Sequence, residues 1–289
     1  MSAPKLLAGS TLIRMSTRSA ARRSSLNQPL ETFEIFAHRG LAKGCTENTL
    51  EAFAQAVNAG AHWLETDAHT TADGVVVAFH DHTLNRLFGT SGTIHDATWE
   101  ELKDRELVKG GKLATFEQVL RTFPSMPVNV DIKDAATAER IAKITVQERA
   151  QDRVRFASFK EERKRRAVQC AAQLGAHIPS SGSELATALF YLCSRVSWRL
   201  WPLVRAVTAP WISPFQSLQV PVTQTYAGLT FRVADRTTVA MAHRFGIKVH
   251  VWTIDDEAEM RRLLDLGVDG IVTNRTDLLA KILAGRAAS

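Results

Sequence analysis

Residues 33–68, FEIFAHRGLAKGCTENTLEAFAQAVNAGAHWLETDA, contain the reading that decides the fold. The run FEIFA (33–37) is short, apolar and β-rich, and reads as a buried strand. ENTLEAFAQAVNAG (47–60) reads as an amphipathic helix in which Leu50, Phe53, Ala54 and Val57 share one face. Gly60 closes its last turn. WLETDA (63–68) is strand-like again, so the stretch is one strand–helix–strand unit.

The same alternation continues along the chain. Further strand candidates are VVVAFH (75–80), PVNVDI (127–132), VRFAS (154–158), AHIP (176–179), SLQVP (217–221), KVHVWTI (248–254) and GIVTN (270–274). DDEAEMRRLLDLGVDG is another helix, with acids in its first turn and Gly267 past its end. Repeated units of this length predict an α/β fold, a parallel sheet with helices outside. Eight or nine strands in about 255 residues fit a (β/α)8 TIM-type barrel better than an open sheet. Nine candidates are one too many, so AHIP or SLQVP is expected to lie outside the barrel. Two irregular stretches stand out: a small insertion at 82–114 after the third strand, and a helical insert at about 183–213.

A barrel carries its active site at the C-terminal ends of its strands. There the chain places His38 and Arg39, then Glu65 and Asp67, then His80 and Asp81, then Asp131 and Lys133. Strand residues two apart share a face, so Glu65 and Asp67 project together, as do Asp131 and Lys133. Adjacent buried carboxylates repel, and a divalent cation held by oxygen ligands, Mg²⁺ or Ca²⁺, resolves the conflict. Asp131 can bring the third carboxylate. Arg39 and Lys133 suit phosphate oxygens. His38 and His80 suit the acid and base that phosphodiester cleavage needs. Asp81 either orients an imidazole or caps the next turn.

The chain has 289 residues, 45% hydrophobic and 23% charged, with a net charge of +6. Lys5, Arg14, Arg18, Arg22 and Arg23 give residues 1–30 a charge of +5 without an acid, leaving +1 for the remainder. The basic pI of about 9.4 therefore belongs to a leader, read here as disordered, and not to a nucleic-acid surface. The basic run KEERKRRAV (160–168) reads as a solvated helix face. Residues 31–289 read as one domain. No apolar run is long enough to span a bilayer. Cys45, Cys170 and Cys193 are scattered, which fits a reducing compartment and a cytoplasmic location.

AHRG followed by ENTLEAF, then LETDAHTTADGVVVAFHDHTLNR, and later VHVWTIDDEAEMRRLLDLGVDGIVTN, resemble the glycerophosphodiester phosphodiesterase family. The resemblance covers roughly residues 33–283. It implies a TIM-type barrel, a divalent cation, and hydrolysis of glycerophosphodiesters to glycerol 3-phosphate and an alcohol. By motif, His38 and His80 match the catalytic histidines. Glu65, Asp67 and Asp131 match metal ligands, and Arg39 and Lys133 match phosphate contacts. Glu47 matches a ligand-adjacent acid, Trp252 a pocket wall, and 82–114 the family's small insertion. Two departures are visible: Asp131 stands where the family usually has Glu, and Thr273-Asn274-Arg275-Thr276 replaces the usual Thr-Asp-Arg-Pro.

The insert at 183–213 is the least family-like stretch. Leu185, Leu189, Leu192, Val196, Leu200, Leu203 and Val207 form a helical stripe, with Phe190, Trp198, Trp201 and Trp211 in surplus. Arg195, Arg199 and Arg205 interleave with them, and Pro202 is expected to kink or divide the helix. An outer barrel helix is one reading. The other is an interfacial element that meets an acyl chain, giving weak peripheral membrane contact and lysophospholipase D-type activity.

Overall fold

The computed structural model describes residues 33–226 and 228–287, so the leader 1–30 lies outside the described residues. The chain runs β1 (Glu34–His38), α1 (Leu50–Asn58), β2 (Trp63–Thr70), β3 (Val76–Ala78), α2 (Asn85–Phe88), α3 (Trp99–Leu102), α4 (Phe116–Thr122) and β4 (Val128–Ile132). It continues α5 (Ala135–Gln147), β5 (Val154–Ala157), α6 (Glu161–Gln173), α7 (Glu184–Val196), a 3₁₀ turn (Trp198–Leu200) and α8 (Trp201–Thr208). It ends β6 (Ser217–Pro221), β7 (Thr223–Tyr226), β8 (Leu229–Arg232), α9 (Arg236–Arg244), β9 (Lys248–Trp252), α10 (Glu257–Leu266), β10 (Gly270–Thr273) and α11 (Thr276–Ala287).

Seven strands form a curled parallel sheet in the order β5-β4-β2-β1-β10-β9-β6. Single parallel bridges, Phe156↔Ser180 and Ser181↔Ser217, close the gap between β5 and β6. The result is a TIM-type barrel whose eighth stave is a pair of bridged serines. This corrects two expectations. SLQVP is a full barrel strand, paired with β9 from Ser217↔Lys248 to Pro221↔Trp252. The surplus strand is β3, which pairs antiparallel with β2 through Ala68↔Ala78. The reason is reach. Only residues 71–75 separate β2 from β3, whereas a parallel crossover needs about a dozen residues. The Asp73-Gly74 turn, with Gly74 at φ +88°, makes a hairpin instead.

Behind β3, Val77, Phe79, Leu84, Leu87, Phe88, Ile94, Leu102, Leu107 and Leu113 give the 82–114 insertion a small core of its own. At the end of β1 the chain turns sharply through Arg39 (φ +55°) and Gly40 (φ +85°). A Cβ on Gly40 would lie 2.7–2.8 Å from Ala52, including its main chain, so no other residue lets the strand end dock on α1.

The insert at 183–213 divides, as Pro202 foretold, but the break falls at Ser197 and Pro202 sits in the first turn of α8. Both ends are clamped by Glu161: it accepts from Ser183 Oγ at 2.5 Å and from the Ser213 amide and hydroxyl at 2.9 and 2.7 Å. Phe190 and Trp201 are buried edge-to-face at 4.9 Å. Most of the expected stripe does not face the core: Leu185, Leu192, Val196, Leu200, Leu203 and Val207 are exposed, as is Trp211, and only Leu189 packs against the core. The basic run at 160–168 also departs from its reading, because Lys164 is fully buried, 2.9 Å from Glu161 and over the Phe215 ring.

Candidate active site

Asp67 is buried near the end of β2 with a cation on each carboxylate oxygen, Lys133 Nζ at 2.9 Å and Arg39 Nε at 3.0 Å. Burial alone would raise its carboxyl, but Lys133 and Arg39 outweigh that and hold it below the usual aspartate range. Asp131, aligned with Asp67 across the β2–β4 register, shares the Lys133 ammonium at 2.6 Å. Its carboxyl is nonetheless pushed up, mainly by burial, with repulsion from Asp67 adding to it. Lys133 stays cationic despite burial, because Asp131 and Asp67 raise it.

Glu65 differs. Only the Arg39 amide reaches its carboxylate, at 3.2 Å, and among the described residues no cationic side chain pairs with it. Burial first, and Asp67 second, push its carboxyl well above the usual glutamate range. The three carboxylates therefore share too little positive charge, and the shortage is concentrated on Glu65.

The two histidines flank this group and interact electrostatically with Asp67. His38, at the tip of β1, holds Asn274 Oδ1 at 2.8 Å through Nδ1. Asn274 uses its own Nδ2 on Asp255 at 2.8 Å, which leaves Oδ1 as the acceptor facing His38. His38 Nδ1 is therefore the donor, and Nε2 carries the lone pair. Burial, then the neighbouring Arg39 charge, lower the His38 imidazole below its ordinary range. His80 stands half-exposed after β3 with Nδ1 2.8 Å from Asp81 Oδ1. Asp81 thus faces an imidazole, and it is held at about 2 by Arg86 and His80 against the effect of burial.

Glu47 joins the two halves of the mouth, 2.9 Å from Arg39 and 2.7 Å from Arg86. Trp252, at the end of β9, is half-buried and packs edge-to-face on Phe159 at 5.9 Å, while Lys133 lies over the same Phe159 ring. All ten residues singled out from the sequence, His38, Arg39, Glu47, Glu65, Asp67, His80, Asp81, Asp131, Lys133 and Trp252, are described. Phe159 and Asp255 were missed, and Asn274 stood out only as a departure from the family's motif, without a role at the site. Phe159 follows the strand VRFAS directly and was open to notice. Nothing in the sequence pairs Asn274 with His38, 236 residues away.

A sequence profile of the glycerophosphoryl diester phosphodiesterase family matches residues 38–278. The chain belongs to that family and is a phosphoric diester hydrolase of the glycerophosphodiester phosphodiesterase class. Among its relatives is a probable glycerophosphodiester phosphodiesterase 2 of Mycobacterium tuberculosis, 33% identical over 86% of this chain and 90% of that protein. A crystal structure of a glycerophosphodiester phosphodiesterase from Parabacteroides distasonis superposes with a TM-score of 0.64 at 26% identity, covering 89% of this chain and 98% of the other. A phosphodiesterase from Oleispira antarctica, solved with the product sn-glycerol 3-phosphate, shares the fold at a TM-score of 0.64 and 22% identity, over 87% and 96% of the two chains.

Proposed function

We propose that residues 31–289 form one catalytic unit that hydrolyses glycerophosphodiesters to glycerol 3-phosphate and an alcohol with a divalent cation, Mg²⁺ or Ca²⁺. The observation that carries this reading is the shortage of positive charge at Glu65 beside Asp67 and Asp131, set between two histidines. A set of carboxylate oxygens fits a hard cation, and Glu65, Asp67 and Asp131 would hold it. When bound, it would neutralise charge on the phosphate and polarise the phosphorus toward attack.

Arg39 and Lys133 would orient the remaining phosphate oxygens. His38 Nε2 is suited to take the proton from the attacking oxygen, because Asn274 occupies Nδ1 and burial keeps the ring neutral. The new P–O bond forms as the bond to the alcohol breaks. His80 delivers a proton to the departing oxygen, with Asp81 able to balance the imidazolium charge on that ring. The attacking oxygen belongs either to water or to the glycerol moiety, and ³¹P NMR separates a direct product from a cyclic phosphate. A glycerophosphocholine assay with and without chelator tests the whole reading. Activity unchanged after complete cation removal would end it.

A second reading concerns larger substrates. Leu185, Leu192, Val196, Leu203, Val207 and Trp211 form an exposed apolar face, with Arg199 and Arg205 also exposed. The helical pair is clamped at Glu161, just beyond Phe159 at the mouth. This supports peripheral contact with an anionic lipid surface and access of lysophospholipids to the charged mouth. Trp201 is core, so the informative variant is Leu203→Ser with Trp211→Ser. Loss of binding to anionic vesicles with glycerophosphocholine turnover retained supports the reading; unchanged vesicle binding removes it. A cytoplasmic location accords with the three unpaired, buried cysteines. Among the described residues no helix is long and apolar enough to cross a membrane.

A further inference from the structure

A second cluster of ligand atoms lies where the 82–114 insertion meets the barrel. His69 comes from β2, His95 from the insertion, and Asp134 from the residue that caps α5. His69 is 6% exposed and Asp134 13%, with His95 on the solvent side at 32%. The mouth described above uses none of the three.

Each imidazole is anchored through one nitrogen to a main-chain carbonyl. His69 Nε2 lies 3.2 Å from the His80 carbonyl oxygen, and His95 Nδ1 lies 2.9 Å from that of Thr70. A carbonyl only accepts, and a neutral imidazole has one proton to donate. Metal ligation would use the other nitrogens, His69 Nδ1 and His95 Nε2, with the proton of each neutral ring on the nitrogen that faces its carbonyl. Both point at Asp134 Oδ2, at 3.1 and 3.9 Å. Asp134 is fixed in place by accepting the Thr137 amide through Oδ1 at 2.7 Å and the Thr70 amide through Oδ2 at 3.1 Å. Three ligand atoms thus lie within 4.8 Å of one another.

We propose that this cluster is a second metal site, binding a divalent transition metal through His69 Nδ1, His95 Nε2 and Asp134 Oδ2. A divalent cation displaces the proton between His69 and Asp134 and takes all three atoms as ligands. Bonds of about 2 Å at tetrahedral angles place ligand atoms about 3.3 Å apart, so atoms that lie within 4.8 Å of one another need to close by about 1.5 Å at most. Two imidazoles and one carboxylate select the zinc, cobalt and manganese class, in contrast to the oxygen-only set at Glu65, Asp67 and Asp131. With a metal bound, the carbonyl on the far nitrogen of each ring accepts its remaining proton, as the outer partners of metal-bound histidines do. Bound there, the metal staples the insertion to β2 and α5. It also sits one hydrogen bond from the main chain of His80.

The test uses the full chain stripped of metal and resupplied with excess Mg²⁺, then titrated with Co²⁺ and, separately, Zn²⁺. The wild type is expected to bind Co²⁺ with a visible d–d absorption band that Zn²⁺ displaces, and to melt at a higher temperature with either metal. His95→Gln and Asp134→Asn, the latter retaining a helix-capping side chain, should each weaken binding by at least about tenfold. Asp67→Asn should keep the band. Equal Co²⁺ affinity in the wild type and both cluster variants, or loss of the band in Asp67→Asn alone, overturns the proposal. Far-UV circular dichroism of each metal-free variant separates lost binding from lost folding. Because the readout is binding and melting, it stands apart from the phosphodiesterase assay.

Discussion

The barrel buries two charged clusters, one near each end, and they differ in how completely they are neutralised. Toward the N-terminal ends of the strands, Glu34 is surrounded by Lys248 at 2.5 Å, His250 at 2.9 Å and Arg155 at 3.6 Å. Its carboxyl is held at about 2, since these partners outweigh burial. Arg155 is further fixed by stacking over Trp63 at 4.2 Å. At the C-terminal ends, burial pushes Glu65 and Asp131 the opposite way, and Arg39 and Lys133, shared among three carboxylates, do not offset it. Both clusters are buried, ionisable and assembled from distant residues. The first carboxylate is paired with cations of the chain itself, Lys248 and Arg155, whereas on the proposed reading the second set takes its missing charge from a bound cation.

Activity should break the comparison most sharply. His38→Ala and His80→Ala are each expected to lower kcat by about 10²–10⁴-fold in a coupled glycerol 3-phosphate assay. A loss under tenfold at both would detach the histidines from the chemistry.

Stability should move in the other direction. Glu34→Gln leaves Arg155 buried without its carboxylate and should cost about 3–5 kcal/mol in denaturant unfolding, with turnover per folded molecule retained. Glu65→Gln should leave the metal-free protein no less stable, while abolishing its stabilisation by Mg²⁺ or Ca²⁺. If both substitutions destabilise the metal-free chain equally, the two clusters are alike and the contrast is lost.

The pH dependence follows from Glu34. Its folded-state carboxyl lies at about 2 against an ordinary value of 4.5, so its contribution is present in full above that ordinary value. It is lost as pH falls from 4.5 toward about 2, an effect of about 3 kcal/mol. Unfolding midpoints of the wild type and Glu34→Gln measured across that range should therefore converge in acid. A constant gap would show that the native carboxyl is not depressed.

The smallest effect is expected at Asn274. Asn274→Asp restores the family's usual residue and puts a negative charge on His38 Nδ1. The acidic limb of the kcat/KM profile should shift to higher pH, with the maximal rate changed less than tenfold. An unmoved limb would show that His38 is not the group titrating there.

These contrasts mark what could be read from residues alone. Strand–helix alternation fixes the fold class because periodicity is local: a pleat alternates every second residue and an amphipathic helix every third or fourth. The same locality brings Glu65 beside Asp67 and Asp131 beside Lys133. The paired serines Ser183 and Ser213, which Glu161 clamps, coincide with the insert's expected limits. Direction and partnership were another matter. β3 carries the same continuous apolar run whether it lies parallel or antiparallel, and only the five-residue span before it forbids the crossover. The leucine stripe of α7 and α8 has helical spacing whichever way it faces; burial of Phe190 and Trp201 against the barrel turned it outward.

The sequence by itself determined the barrel class, the family and the ionisable groups at the strand ends, because strand spacing and side-chain alternation are carried by neighbours in the chain. Only the tertiary structure decided which of those groups are neutralised. Asn274 reaches His38 across 236 residues, and Lys248 reaches Glu34 across 214. The charge state of a buried carboxylate depends on desolvation and on partners within a few ångströms, and chain closure alone brings those partners there.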